Sequence, residues 1–158
     1  VSRVAIVDLD VHQGDGTASI LARDDSVFTL SLHGDRNYPF KKAISDLDVA
    51  LPDGTGDDEY LEQLESALSH LFARFDPQLL IFLAGADPYE GDRLGRLRLS
   101  MAGMAARDTM VMEAASQRGL PVAIAMAGGY GRVIEDTVAV HLQTIMIASR
   151  YCHPAEPS

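Results

Sequence analysis

Four apolar residues run together at Val4-Ala5-Ile6-Val7 and stop at an acid, Asp8. A run of this length without alternation predicts a strand buried on both faces, as in a parallel sheet. Gly16 to Ala22 is predicted as a short helix, and Asp24-Asp25 as the turn before a second strand, Val27 to Leu32. A polar loop with Pro39 and Lys41-Lys42 follows, then a short extended piece, Leu47 to Leu51, and a turn at Pro52-Asp53-Gly54-Thr55-Gly56. From Asp57 the spacing turns helical, with Leu61, Leu64, Leu68, Leu71 and Phe75 recurring every three or four residues until Asp76-Pro77. Asp57, Asp58 and Glu59 suit the positive end of that helix as solvated charges. Leu79 to Leu83 is a third strand, Ala102 to Gln117 a helix closed by Gly119, Pro121 to Met126 a fourth strand, and Ile134 to Ser149 a last helix. The methionines between Met101 and Met126 read as core filler.

Strand and helix alternate throughout, which argues a three-layer α/β/α architecture with a mostly parallel sheet over residues 1–150, followed by a polar tail, 151–158. A doubly buried strand needs neighbours on both sides, yet this one comes within the first few residues. The reading is therefore of a domain incomplete at its N-terminus, whose missing front half would add strands and loops. A sheet edge left uncovered by that loss would favour self-association.

Composition narrows the function. The chain has 158 residues, 47% of them hydrophobic and 23% charged, as in a soluble globular domain. A net charge of −10 with no basic patch argues against a nucleic acid as partner and for a basic substrate. A single cysteine, Cys152, allows no internal disulfide and suits a reducing compartment, so cytoplasmic is the expected location and Cys152 is expected to be inert. No apolar run is long enough for a membrane span.

The chemistry gathers where strands end. In open parallel sheets ligands bind beyond the carboxyl ends of the strands. The four exits here read Asp8-Leu9-Asp10-Val11-His12, Ser31-Leu32-His33-Gly34, Gly85-Ala86-Asp87-Pro88 and Gly128-Gly129-Tyr130-Gly131. Asp8, Asp10 and His12 alternate, so an extended backbone aims all three the same way. Two acids and an imidazole on one side of a strand end repel and desolvate one another unless a cation sits among them. An acid pair at such a place also serves as a cap or turn former. If Asp87 approaches Asp10 and His12, two carboxylates and one imidazole leave an open coordination position, as a catalytic zinc requires. Tyr130, flanked by glycines, could donate its hydroxyl to a tetrahedral oxyanion.

The run Asp-Leu-Asp-Val-His-Gln-Gly-Asp-Gly from Asp8 to Gly16, the later Gly85-Ala86-Asp87 and the Gly128-Gly129-Tyr130 resemble the histone deacetylase family of the arginase/deacetylase superfamily. Leu83 to Asp92 is similar in style to its class IV branch and bacterial relatives. The resemblance covers nearly all of this chain and about the second half of the family's catalytic domain. It implies zinc-dependent removal of an acyl group from an amine, either an acylated lysine peptide or a small N-acyl amine. It implies zinc ligation by Asp10, His12 and Asp87, and carbonyl polarisation by Tyr130. It further implies a potassium site built from Asp8, Asp10, His12, Ser31 and Leu32, with Asp8 and Asp15 orienting the two histidines of a catalytic pair. Tyr38, Leu94 and Gly129 would line the substrate path, and Asp92 would be structural.

In the family that histidine pair lies upstream of Asp-x-Asp-x-His, where this sequence offers none. His33 stands at a strand exit, His70 and His141 on helices, and His153 in the tail. The expectation is weak or absent turnover by this chain alone. Two other readings stay open: a ureohydrolase-like enzyme with two manganese ions, for which Pro88 stands where a second acid is wanted, and a non-catalytic remnant that binds metal or a partner.

Overall fold

The computed structural model describes residues 1–152, so His153 and most of the proposed tail lie outside the described residues. Five strands form one sheet: β1 (Val4–Asp8), β2 (Val27–Gly34), β3 (Leu47–Leu51), β4 (Leu79–Ala84) and β5 (Val122–Met126). Every pairing is parallel, in the order β3-β2-β1-β4-β5. The short piece at Leu47 to Leu51 is thus a full strand at one edge, with Leu30 opposite Leu47. The apolar run that opens the chain is the central strand, between β2 and β4.

Four helices connect and cover the sheet: α1 (Asp15–Leu21), α2 (Asp57–Arg74), α3 (Met101–Ser116) and α4 (Ile134–Ser149). The crossover from β1 to β2 steps along the sheet in the direction opposite to that from β3 to β4. Right-handed connections therefore place α1 on one face and α2 and α3 on the other. These are the three layers read from the sequence. The α2/α3 face is the tight one. Ala5, Val7, Phe28, Leu30, Leu32, Leu80, Phe82 and Ala84 point into it, against Leu64, Leu68 and Leu71 of α2 and Met104 and Val111 of α3. The other face is polar under α1, where Thr29, Ser31 and His33 are buried, and half open toward β4 and β5, where Ala123 and Ala125 are exposed.

Asp57 departs from the sequence reading. It is no solvated helix end; its carboxylate accepts from the Ser100 N–H (2.8 Å) and hydroxyl (2.6 Å), tying the start of α2 to the N-cap of α3. Gly103 packs directly on that carboxylate, leaving no room for a side chain. The methionines divide. Met104 and Met112 fill the core as expected, but Met126 is 67% exposed at the end of β5. Among the described residues no helix is long and apolar enough to cross a membrane.

The connectivity fixes where a ligand can sit. From β1 the chain winds outward through β2 to β3, then returns to β1's other side at β4 and winds outward to β5. The order reverses between β1 and β4, which opens a crevice beyond their carboxyl ends. Core packing supplies the rigidity. Leu64→Ala, at a fully buried position, is expected to lower stability by about 2–5 kcal/mol. Ile20→Ala, at a position 83% exposed, should change it by less than about 0.5 kcal/mol. Urea denaturation of both variants checks the assignment; equal losses would contradict it.

Candidate metal centre

Regular pairing ends at Asp8, but the alternation of side chains continues past it. Leu9 and Val11 are fully buried, while Asp10 and His12 turn to the crevice. Two short carboxylate turns bend the chain there: Asp8 Oδ1 accepts from the Asp10 N–H (3.1 Å), and Asp10 Oδ1 from the His12 N–H (2.9 Å). Leu9 N–H still donates to Leu83 O across to β4 (3.1 Å), which brings the two strand exits side by side. Asp87 then reaches over, and its Oδ1 accepts from the Val11 N–H (2.9 Å).

Asp10, His12 and Asp87, far apart in sequence, thereby meet. His12 Nδ1 lies 3.0 Å from Asp10 Oδ1 and 3.2 Å from Asp87 Oδ2. One ligand atom from each residue falls within 4.8 Å of the others. The fourth exit closes the group, because the Gly128 N–H donates to Asp10 Oδ2 (2.7 Å) and the Gly128 carbonyl accepts from the Ala86 N–H (2.6 Å). Glycine is required at two places around it. A Cβ on Gly128 would collide with both carboxylates, and one on Gly85 would strike Asp10 at its Cα.

The electrostatics follow from this crowding. Hydrogen bonds to the Asp10 and Asp87 carboxylates raise the His12 pKa to about 10, against the opposing effect of burial. Burial pushes Asp87 up. Burial also acts to raise Asp10, but its hydrogen bonds to His12 and Gly128 prevail and hold it low. Asp8, only 6% exposed, is raised to about 7, chiefly by burial, with Asp10 and Asp87 adding repulsion. The carboxylates that keep a proton on His12 would hold a cation in its stead. Two carboxylate oxygens and an imidazole nitrogen, fixed by backbone N–H groups in a cradle that a Cβ would fill, form a donor set suited to a divalent ion such as zinc.

The remaining predicted residues divide. Ser31 lies opposite Asp8 in the sheet register, and its hydroxyl is 3.0 Å from His33 Nδ1; Leu32 is fully buried beside it. Asp15 stands apart from the cluster: it begins α1 and accepts from the Gly16 N–H (3.0 Å). Tyr38, Leu94 and Tyr130 are exposed, at 63%, 53% and 52%. Asn37 joins the loops of the first two, donating to Leu94 O (2.9 Å) and accepting from the Arg96 N–H (3.2 Å). Gly129 abuts Thr137 and Ala86. His70 lies on α2 beside Arg74, and His141 on α4, drawn down by burial.

Asp92 does more than its place in the sequence indicates. It is 5% exposed. Its Oδ1 accepts from the Leu94 and Gly95 N–H groups (2.7 and 2.8 Å), and its Oδ2 from the Tyr130 N–H (2.6 Å). One carboxylate thus fixes the backbone of the Tyr130 loop against the loop that carries Leu94. An acid between two glycines, Gly91 and Gly95, was the available signal.

Comparisons with known proteins bear on the family and the fold. The profile of the histone deacetylase domain matches residues 1–145. An uncharacterized protein of Picosynechococcus sp. is 45% identical over 139 residues, covering 88% of this chain and 46% of its own. Histone deacetylase 2 of Arabidopsis thaliana is 38% identical over 145 residues, covering 87% of this chain and 38% of its own. Among solved structures, a histone deacetylase homolog from Aquifex aeolicus superposes with a TM-score of 0.78 at 27% identity, covering 94% of this chain and 42% of that one. The chain spans less than half the length of each.

Asp92→Ala would leave three N–H groups without their acceptor, at a cost of about 1–3 kcal/mol for each that stays unsatisfied. Hydrogen exchange is expected to speed up at the amides of Leu94, Gly95 and Tyr130 while those of β1 and β4 keep their protection. Unchanged exchange at Tyr130 would contradict the role given to Asp92.

Proposed function

Because the chain belongs to the histone deacetylase family, we propose that it contributes the metal-binding half of a zinc-dependent hydrolase that removes an acyl group from an amine. The substrate is an N-acyl lysine in a peptide or a small N-acyl amine. The observation that carries this reading is the convergence of Asp10, His12 and Asp87 at the β1/β4 crevice. These three would hold zinc. When bound, zinc polarises the scissile carbonyl and lowers the pKa of a coordinated water.

The chain's own residues do the rest. The Gly128 and Val11 N–H groups fix the carboxylates of Asp10 and Asp87, so the donor set needs little reorganisation on loading. Tyr130, its backbone held by Asp92, donates its hydroxyl to the carbonyl oxygen as negative charge develops there. Gly129, whose missing Cβ makes room for Thr137 and Ala86, lines the substrate path with its backbone, and Tyr38 and Leu94 form the apolar rim. Asp8 is the buried acid that a monovalent cation would keep ionised; with Asp10, His12, Ser31 and Leu32 it makes the potassium site. Asp8 and Asp15 are the orienting acids for a pair of general acid–base histidines.

Among the described residues only His12 joins a cluster of three metal-ligating side chains, and it is a ligand rather than a free base. Weak turnover is expected of a site without general acid–base groups, whose loss costs roughly 10²–10⁴-fold or more. Pro88, where a ureohydrolase wants a second acid beside Asp87, favours one metal per chain over two.

Calorimetric titration is expected to show one zinc per chain, lost in His12→Ala and in Asp87→Asn. Two zinc ions per chain, or retention of binding in both variants, would refute the site. In a protein that turns over an acetyl-lysine peptide, Tyr130→Phe should lower kcat by about 10²–10³-fold with zinc affinity unchanged. An equal loss of zinc binding would mean that Tyr130 acts structurally.

A further inference from the structure

Among the described residues the largest fully buried side chain is a charged one, Arg107, in the middle of α3. Its Nη1 donates to Gly85 O (2.6 Å) and leans toward Leu9 O (3.4 Å). Leu9 immediately precedes Asp10, and Gly85 lies two residues before Asp87. A single guanidinium nitrogen therefore spans the two strand exits that carry the carboxylates of the metal cluster. The rest of the guanidinium faces Asp108: Nε donates to Oδ1 (2.8 Å), and Nη2 makes an ion-pair contact with the same oxygen (2.7 Å). Asp108 Oδ2 accepts from the Thr144 hydroxyl of α4 (2.6 Å). Nearly two turns earlier on α4, Thr137 Oγ1 accepts from the Gly131 N–H (3.1 Å), beside Tyr130.

We infer that Arg107 and Asp108 are positioning residues for the metal centre, setting the spacing of the β1 and β4 exits and, through Thr144, the seat of the helix that follows the Tyr130 loop. This inference rests on the zinc reading of the site. Burying an ion pair rarely stabilises a fold, because desolvation of both charges offsets their attraction, and well-packed apolar replacements often do as well or better. Retention of such a pair beneath a site is better explained by its directionality. A planar guanidinium can address a carboxylate on one edge and carbonyls on another, which an ammonium cannot. Asp108 balances the charge of the guanidinium while Arg107 holds the backbone carbonyls of Leu9 and Gly85.

The test separates positioning from stability. Cobalt(II) is the probe, titrated into the full chain while its visible absorption is followed. The wild type is expected to bind one cobalt ion. Arg107→Met/Asp108→Leu, which replaces the pair with apolar groups, should keep or raise Tm yet bind cobalt about 10–100-fold more weakly, with a shifted absorption band. Should that variant fail to fold, Arg107→Lys decides the question: the charge opposite Asp108 stays, the double reach to Leu9 and Gly85 is lost, and cobalt binding should weaken several-fold. Leu64→Ala serves as control, lowering Tm without moving the band. Wild-type affinity and absorption in a folded double variant, or in Arg107→Lys, would overturn the inference and leave the zinc reading standing. A wild type that binds no cobalt would overturn both.

Discussion

Two carboxylates held beside one another in a buried crevice stay ionised together only with a positive partner; otherwise one of them keeps its proton, and the structure is arranged around that constraint. Asp87 is fully buried and Asp10 largely so, with the His12 imidazole between them at hydrogen-bonding distance from each. Their mutual repulsion and the desolvation of both charges would push the exits of β1 and β4 apart. Positive charge at His12, or a divalent ion in that place, turns the repulsion into cohesion. The neighbouring backbone then adapts to the cluster. Gly85 and Gly128 give up side chains so that the carboxylates fit, and the N–H groups of Val11 and Gly128 point at them.

The fold delivers these groups without long-range loops. A parallel sheet whose winding reverses between two adjacent strands leaves a gap beyond their ends, and here those strands are β1 and β4. The first exit contributes Asp10 and His12, the second Asp87, and the adjacent β5 exit contributes the Gly128 N–H. Helix α3 packs beneath the same exits on the tight face, which is how a residue of a helix interior comes to hold two strand ends. The outer parts of the site have different footing. Tyr38, Leu94 and Tyr130 sit on exposed loops cross-linked by Asn37 and Asp92.

Much of this was legible in the sequence, for physical reasons that differ by residue. Asp8, Asp10 and His12 could be read because a period of two survives past the strand's end, with Leu9 and Val11 filling the core between them. Asp87 needed the rule that ligands collect at strand exits, and family resemblance placed it. Helix α2 followed from apolar spacing and α3 from its closing Gly119, and the ends of α2, α3 and α4 were displaced by no more than a residue or so. Strand β3 was legible only as an extended piece, since five residues at a sheet edge, one face polar, carry little pattern. Asp57 and Arg107 were not legible at all. A charged residue at a helix start reads as solvated, and one inside a helix reads as surface; only tertiary packing shows that one holds the N-cap residue of a neighbouring helix and the other lies under the strand exits that carry Asp10 and Asp87.

The meeting of three ligands at one point is a matter of position, and anomalous diffraction from zinc-soaked crystals tests it most directly. One strong zinc peak is expected, bounded by Asp10, the Nδ1 of His12 and Asp87, at about 2.0–2.2 Å from each ligand atom, with Gly128 N–H still on Asp10. Zinc bound only at other residues, or a crevice in which Asp87 turns away from His12 when zinc is present, would contradict it.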